Sequence, residues 1–99
     1  MIRRVVVEEE ADQEFVGAMR WYATRSPGLG WRFLRAVDQA IALIEKNPSL
    51  GSPVGLDIRR CLLRTFPYWL YYRVRGDELR IVACFHAKRD PEEIHSRIQ

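Results

Sequence analysis

The sequence predicts an α+β fold in which a helical hairpin packs on one face of an antiparallel sheet. Three observations lead there. Two apolar stripes at helical spacing fill the first half of the chain. Alternating runs broken by tight turns fill the stretch from Ile58 to His86. A short β-branched segment precedes both. Two one-sided helices need an apolar layer to cover, and a sheet with one apolar face supplies it.

Ile2–Val7 reads as a strand, apart from Arg3 and Arg4. Asp12 or a neighbouring acidic residue then opens a helix. Its stripe is Ala11, Phe15, Ala18, Met19 and Tyr22, one helical face. Glu8, Glu9, Glu10, Asp12 and Glu14 crowd its start, and Arg20 and Arg25 lie toward its end, each the sign that the helix macrodipole favours. Ser26-Pro27-Gly28 reads as a turn. A second helix spans about Leu29 to Lys46, with Phe33, Leu34, Val37, Ile41 and Ile44 on its apolar side, and Asn47-Pro48 stops it. The short link makes the two helices an antiparallel hairpin. Residues 47–57, punctuated by Pro48, Gly51, Pro53 and Gly55, read as an irregular loop.

A three-stranded meander follows: Ile58–Arg64, Tyr68–Arg75 and Leu79–His86. Thr65-Phe66-Pro67 and Gly76-Asp77 connect the strands, the latter a good two-residue hairpin turn. Strict alternation puts Tyr68, Leu70, Tyr72 and Val74 on one face, with Trp69, Tyr71, Arg73 and Arg75 on the other. In the last strand it groups Leu79, Ile81, Ala83 and Phe85 against Arg80, Val82, Cys84 and His86. The face away from the helices should therefore show Arg and aromatic residues to solvent. Pro91–Ile98 has the length of one or two helical turns.

The 99 residues suit one domain, 1–99, with a modest core. Its 47% hydrophobic and 29% charged content is that of an ordinary globular chain. No apolar run approaches the roughly 20 residues of a membrane span. The three-Val stretch of the N-terminus is too short for a signal peptide. Cys61 and Cys84 fall in strands and read as small buried hydrophobes; no CxxC or clustered Cys/His spacing occurs, so neither a metal site nor a cofactor is expected.

Charge is unevenly placed. Between residues 56 and 89, Arg59, Arg60, Arg64, Arg73, Arg75, Arg80, Lys88 and Arg89 face only Asp57, Asp77 and Glu78. Residues 1–55 balance, and residues 90–99 are acidic. A basic sheet beside a neutral helical half predicts a surface for an acidic partner. Trp31 stands beside the stripe of the second helix and, if exposed, suits a protein interface. Trp21 and Tyr22 read as helix-packing residues.

Four local patterns, in order, are WYATRSPGLGWRFL, NPSLGSPVG, RRCLLRTFPYWLYYRV and HAKRDPEEI. With the element order they resemble the RelE/ParE superfamily of bacterial type II toxins, its ParE-like branch most closely, over essentially the whole chain. The resemblance implies a cytosolic toxin encoded beside a cognate antitoxin that wraps a folding-on-binding segment over it. It implies inhibition of DNA gyrase for the ParE-like branch and cleavage of mRNA on the ribosome for the RelE-like branch. A toxin that has lost activity and persists as an antitoxin-binding module is the third reading. The partner surface expected under the first is Arg59, Arg60, Trp69, Tyr71, Arg73, His86, Lys88 and Arg89. Under the second, His86 with Arg64 and Arg73 would supply a base and phosphate-directed cations for metal-independent cleavage. The chain departs from RelE-like nucleases, which usually close on a functional Tyr or His: here an acidic tail follows Lys88-Arg89, and no Tyr follows Tyr72.

Overall fold

The computed structural model describes residues 1–98. The order is β1 (Arg4–Val7), α1 (Glu9–Arg25), α2 (Pro27–Lys46), β2 (Ser52–Gly55), β3 (Ile58–Leu62), β4 (Tyr68–Arg75), β5 (Glu78–His86) and α3 (Glu93–Arg97). The strands make one five-stranded sheet in the order β1-β5-β4-β3-β2. All neighbours are antiparallel except β1, which joins the edge parallel to β5 with Val7 opposite Ile81. None of the described helices is long and apolar enough to cross a membrane.

The hairpin turn is tighter than expected. Ser26 alone separates the helices, and Pro27 is already the first helical residue, where its missing N–H costs nothing. Gly30 lies at the crossing: a Cβ there would stand 3.1 Å from both Ala23 Cβ and Met19 O. Small size lets α2 close on α1. Below the crossing, Tyr22 stacks on Phe33 at 5.6 Å, and Phe66 meets both edge-on at 4.9 and 5.4 Å. These rings fasten the hairpin to the β3–β4 turn.

Residues 52–55, expected within a loop, form edge strand β2, which pairs with β3 through Ser52↔Arg60 and Pro53↔Arg59. An edge position tolerates the proline, because one side of the strand needs no donor. The strand is held by a buried anchor. Tyr72 is fully buried; its hydroxyl accepts the Gly51 N–H and donates to Pro48 O, both at 2.8 Å. A Cβ on Gly51 would approach Arg60 O and the Tyr72 ring to 2.8 Å, so this position excludes a side chain. β3 ends at Leu62 rather than Arg64, and the chain turns through Thr65 at φ 64.

The alternation expected for the meander holds on β4 and breaks on β5. Tyr71 pairs with Ala83 but Tyr72 with Ile81, so Val82 is an extra residue, a β-bulge. Leu79 and Ile81 face the helices, and beyond the bulge so does Cys84; Val82, Ala83 and Phe85 face the other way. One inserted residue reverses the phase of everything after it.

That reversal builds a second core. Ile58, Tyr71, Val82, Ala83, Phe85 and Ile94 form a buried cluster on the sheet face opposite α1 and α2. The expected solvent-facing arrangement is thus corrected. α3 covers this face, and Tyr71, expected at the surface, is 1% exposed. Ile94 and Ile98, one helical turn apart, supply the apolar side that makes the covering stable.

Replacing Tyr72 by Phe keeps the ring and strands the buried Gly51 N–H without an acceptor. We expect a loss of about 1–3 kcal/mol in urea-unfolding stability, with unchanged far-UV circular dichroism.

Candidate functional site

Most cations of the meander are engaged within the chain. Arg73 donates through Nε and Nη2 to Asp57 Oδ1 at 3.2 and 2.8 Å, and Arg75 Nε to Asp57 Oδ2 at 3.2 Å. Arg80 bridges Glu78 and Glu8. Arg89 pairs with Glu93 and Glu14 and lies 4.0 Å over the Phe85 ring. Arg59 donates to the carbonyls of Gly51 and Ser49, buttressing the loop before β2. Half of the segment's eight cations, Arg73, Arg75, Arg80 and Arg89, are thus paired with carboxylates.

The expected nuclease constellation is dispersed. His86 pairs with Tyr68 at one end of β4, whereas Arg73 pairs with Arg80 toward the other, about 17 Å along the strand. His86 Nδ1 accepts the Lys88 N–H at 3.0 Å, and its ring meets Tyr68 edge-on at 5.0 Å. It borders a cavity of about 640 Å³ against α1, with Trp21, Tyr22 and Glu14. Arg64 lies at a different place, beside α2. Lys88 is exposed near His86.

On the opposite face, Arg60 lies 3.9 Å over the Trp69 ring and reaches the Tyr71 hydroxyl at 3.4 Å. Beside them a cleft of about 210 Å³ is lined by Arg60, Tyr71, Glu92 and His95. His95 Nε2 is 3.4 Å from Glu92 Oε2. This places a guanidinium, a phenol, an imidazole and a carboxylate around one small opening. Sequence reading missed His95, although it is one of two histidines and stands near the C-terminus. Only the docking of α3 brings it over the sheet.

A third feature runs along α2. Arg32, Arg35, Gln39, Arg64 and Thr65 rim a cavity of about 350 Å³ floored by Ala36 and Phe66. A neighbouring cavity of about 330 Å³ shares Ala36, Gln39 and Arg64 and continues past Ala40, Leu43 and Leu62 to Lys46. Elsewhere on the helices, Trp31 is 72% exposed, and Trp21 carries the Arg25 guanidinium 4.2 Å above its ring.

Neither cysteine is bonded to the other. Burial, with Glu14 nearby, pushes the Cys84 thiol up to about 12; burial also raises Cys61, which is half-exposed beside α2. The Asp57 carboxyl is held below the usual range, chiefly by the Arg73 hydrogen bond, with Arg75 adding to it.

The family model "ParE toxin of type II toxin-antitoxin system, parDE" matches residues 5–91. Toxin ParE2 of Mycobacterium tuberculosis, in strains CDC 1551 / Oshkosh and ATCC 25618 / H37Rv, is 26% identical over 99 residues, spanning 99% of this chain and 94% of the relative. A chain of the chromosomal ParDE TA system from P. aeruginosa superposes with a TM-score of 0.66 at 18% identity, over 89% of this chain and 98% of that one. The isolated E. coli RelE toxin does so with a TM-score of 0.63 at 20% identity, over 96% and 97%. Both structural likenesses concern the fold.

Asp57 yields a pH prediction. A depressed folded-state pKa contributes stability above the ordinary carboxylate range, and that contribution is lost as pH falls through the lower folded value. Asp57→Asn should therefore destabilise at neutral pH, and its deficit against the parent should shrink below about pH 4. Urea midpoints measured across the acid range test this. A deficit constant with pH would dissociate the carboxylate from acid stability.

Proposed function

The chain belongs to the ParE toxin family of type II toxin–antitoxin systems, and from that premise we propose that it poisons DNA gyrase by binding and is neutralised by a cognate antitoxin. The match over residues 5–91 carries the reading. The resemblance of the local patterns to the ParE-like branch, which is associated with gyrase inhibition, points the same way. Dispersal of His86, Arg64 and Arg73 also favours it, because concerted acid–base chemistry needs its groups within hydrogen-bond reach of one substrate. Inhibition by binding requires no such convergence.

A second reading rests on the cleft beneath α3. Arg60 and His95 supply a phosphate-directed cation and an imidazole, as metal-independent RNA cleavage demands. Under it the chain is a ribosome-dependent endoribonuclease, with His95 in the acid–base role and Arg60 stabilising charge.

Tightly controlled induction in bacteria, with DNA and protein synthesis pulse-labelled separately, tests both. We expect DNA synthesis to fall within minutes while translation continues, and purified protein to inhibit gyrase supercoiling. His95→Ala should leave that inhibition intact. An early collapse of translation, with mRNA cuts abolished by His95→Ala or Arg60→Ala, would overturn the gyrase reading in favour of the nuclease.

A further inference from the structure

We infer that the groove between α2 and β3 is the seat of the antitoxin, and that it takes an amphipathic segment whose carboxylates meet Arg32, Arg35 and Arg64. This deepens the toxin reading and rests on it. Three observations converge on the groove.

The first is unspent charge. Among the described residues, Arg73, Arg75, Arg80, Arg89 and Arg97 all pair with carboxylates, but Arg32, Arg35 and Arg64 pair with none. No acidic residue lines either cavity of the groove, and Lys46 closes its far end. Three arginines lining one cavity without a counter-charge favour a bound acidic group. The helical half, neutral by its sequence, thus carries a local cationic rim.

The second is exposed apolar surface in the same place. Leu43 and Leu62 are 54% and 51% exposed and flank the middle of the groove. An apolar middle between a cluster of three arginines and Lys46 matches a segment with the complementary order. From Leu29 to Lys46 the groove follows about 25 Å of helix, enough for several turns of a partner helix or a shorter extended strand.

The third is an open edge. β2 pairs with β3 no further than Arg60, so among the described residues Cys61 and Leu62 have no strand outside them. Thr65, a β-branched residue at φ 64, holds the turn in a disfavoured backbone conformation at the arginine end. Of the surface expected from sequence, Arg73 and Arg89 are ion-paired and Tyr71 is buried.

Cys61 lines the groove and Cys84 lies in the core, so thiol chemistry reports occupancy with an internal control. The experiment mixes the intact chain with its purified cognate antitoxin. Affinity is measured for the parent, for Arg32→Glu/Arg35→Glu, for Leu43→Lys, and for Arg20→Glu as a surface charge control on α1. Both groove variants should bind about tenfold to hundredfold more weakly, with Arg20→Glu unchanged and all variants melting cooperatively. Iodoacetamide should modify Cys61 in the free chain and spare it in the complex, with Cys84 unmodified in both. Tight binding by the parent that is undiminished in the groove variants, or weakened instead by Arg60→Glu on the opposite face, overturns the groove and leaves the toxin reading standing. Failure of the parent to bind its antitoxin sinks the toxin reading and this inference together. Protection of Cys61 by self-association without antitoxin would assign the groove to a second copy, and so refute it.

Discussion

The architecture turns on a carboxylate that does the work of a strand. β1 stops opposite Ile81, so the outer edge of β5 beyond that point has no neighbouring strand among the described residues. Glu14 of α1 accepts the Cys84 N–H at 2.9 Å, and Arg97 of α3 donates to Val82 O at 3.0 Å. The two side chains pair at 2.7 Å, and Glu10 and Arg89 extend the network. The bonds span the bulge, where ladder pairing is disturbed. The Glu14 hydrogen bond raises the pKa of Arg97. In this way α1, β5 and α3 are tied at one point, with apolar layers on both faces of the sheet.

That junction governs which surfaces remain for partners. By drawing α3 across the sheet it buries Tyr71 and Phe85 and carries His95 over to Arg60. It also engages Arg89, one of the cations that the composition would assign to an acidic partner. Counter-charges elsewhere act alike: Asp57 takes Arg73 and Arg75, and Glu8 and Glu78 take Arg80. Ion pairs at such partly exposed sites contribute little stability each. Their consequence is for recognition, because a paired guanidinium is a weaker lure for an incoming carboxylate. Cations beside α2 keep their full attraction.

The candidate site was only partly legible. Element types and the helix–sheet layering follow from periodicity, which is a local property. Tyr68, Leu70 and Tyr72 read correctly because β4 keeps strict alternation. Ala83 and Phe85 did not, because nothing in their residue types announces an extra residue at Val82. The short β2 escaped because Pro53 and Gly55 resemble a loop until Tyr72 is seen to fasten the preceding turn. His95 and Arg60 are separated by most of the meander, and Arg32 and Arg64 by a helix and two strands.

The sequence by itself determined the fold class, the helical hairpin, the meander and the family resemblance. These depend on patterns with short range: apolar spacing, turn chemistry and residue order. Tertiary structure alone decided which charges are quenched and which stay open, since pairing depends on distances between segments remote in the chain. It also decided that the sheet is covered on both faces. A single bulge, and a carboxylate replacing a missing strand, are long-range events that no local period encodes.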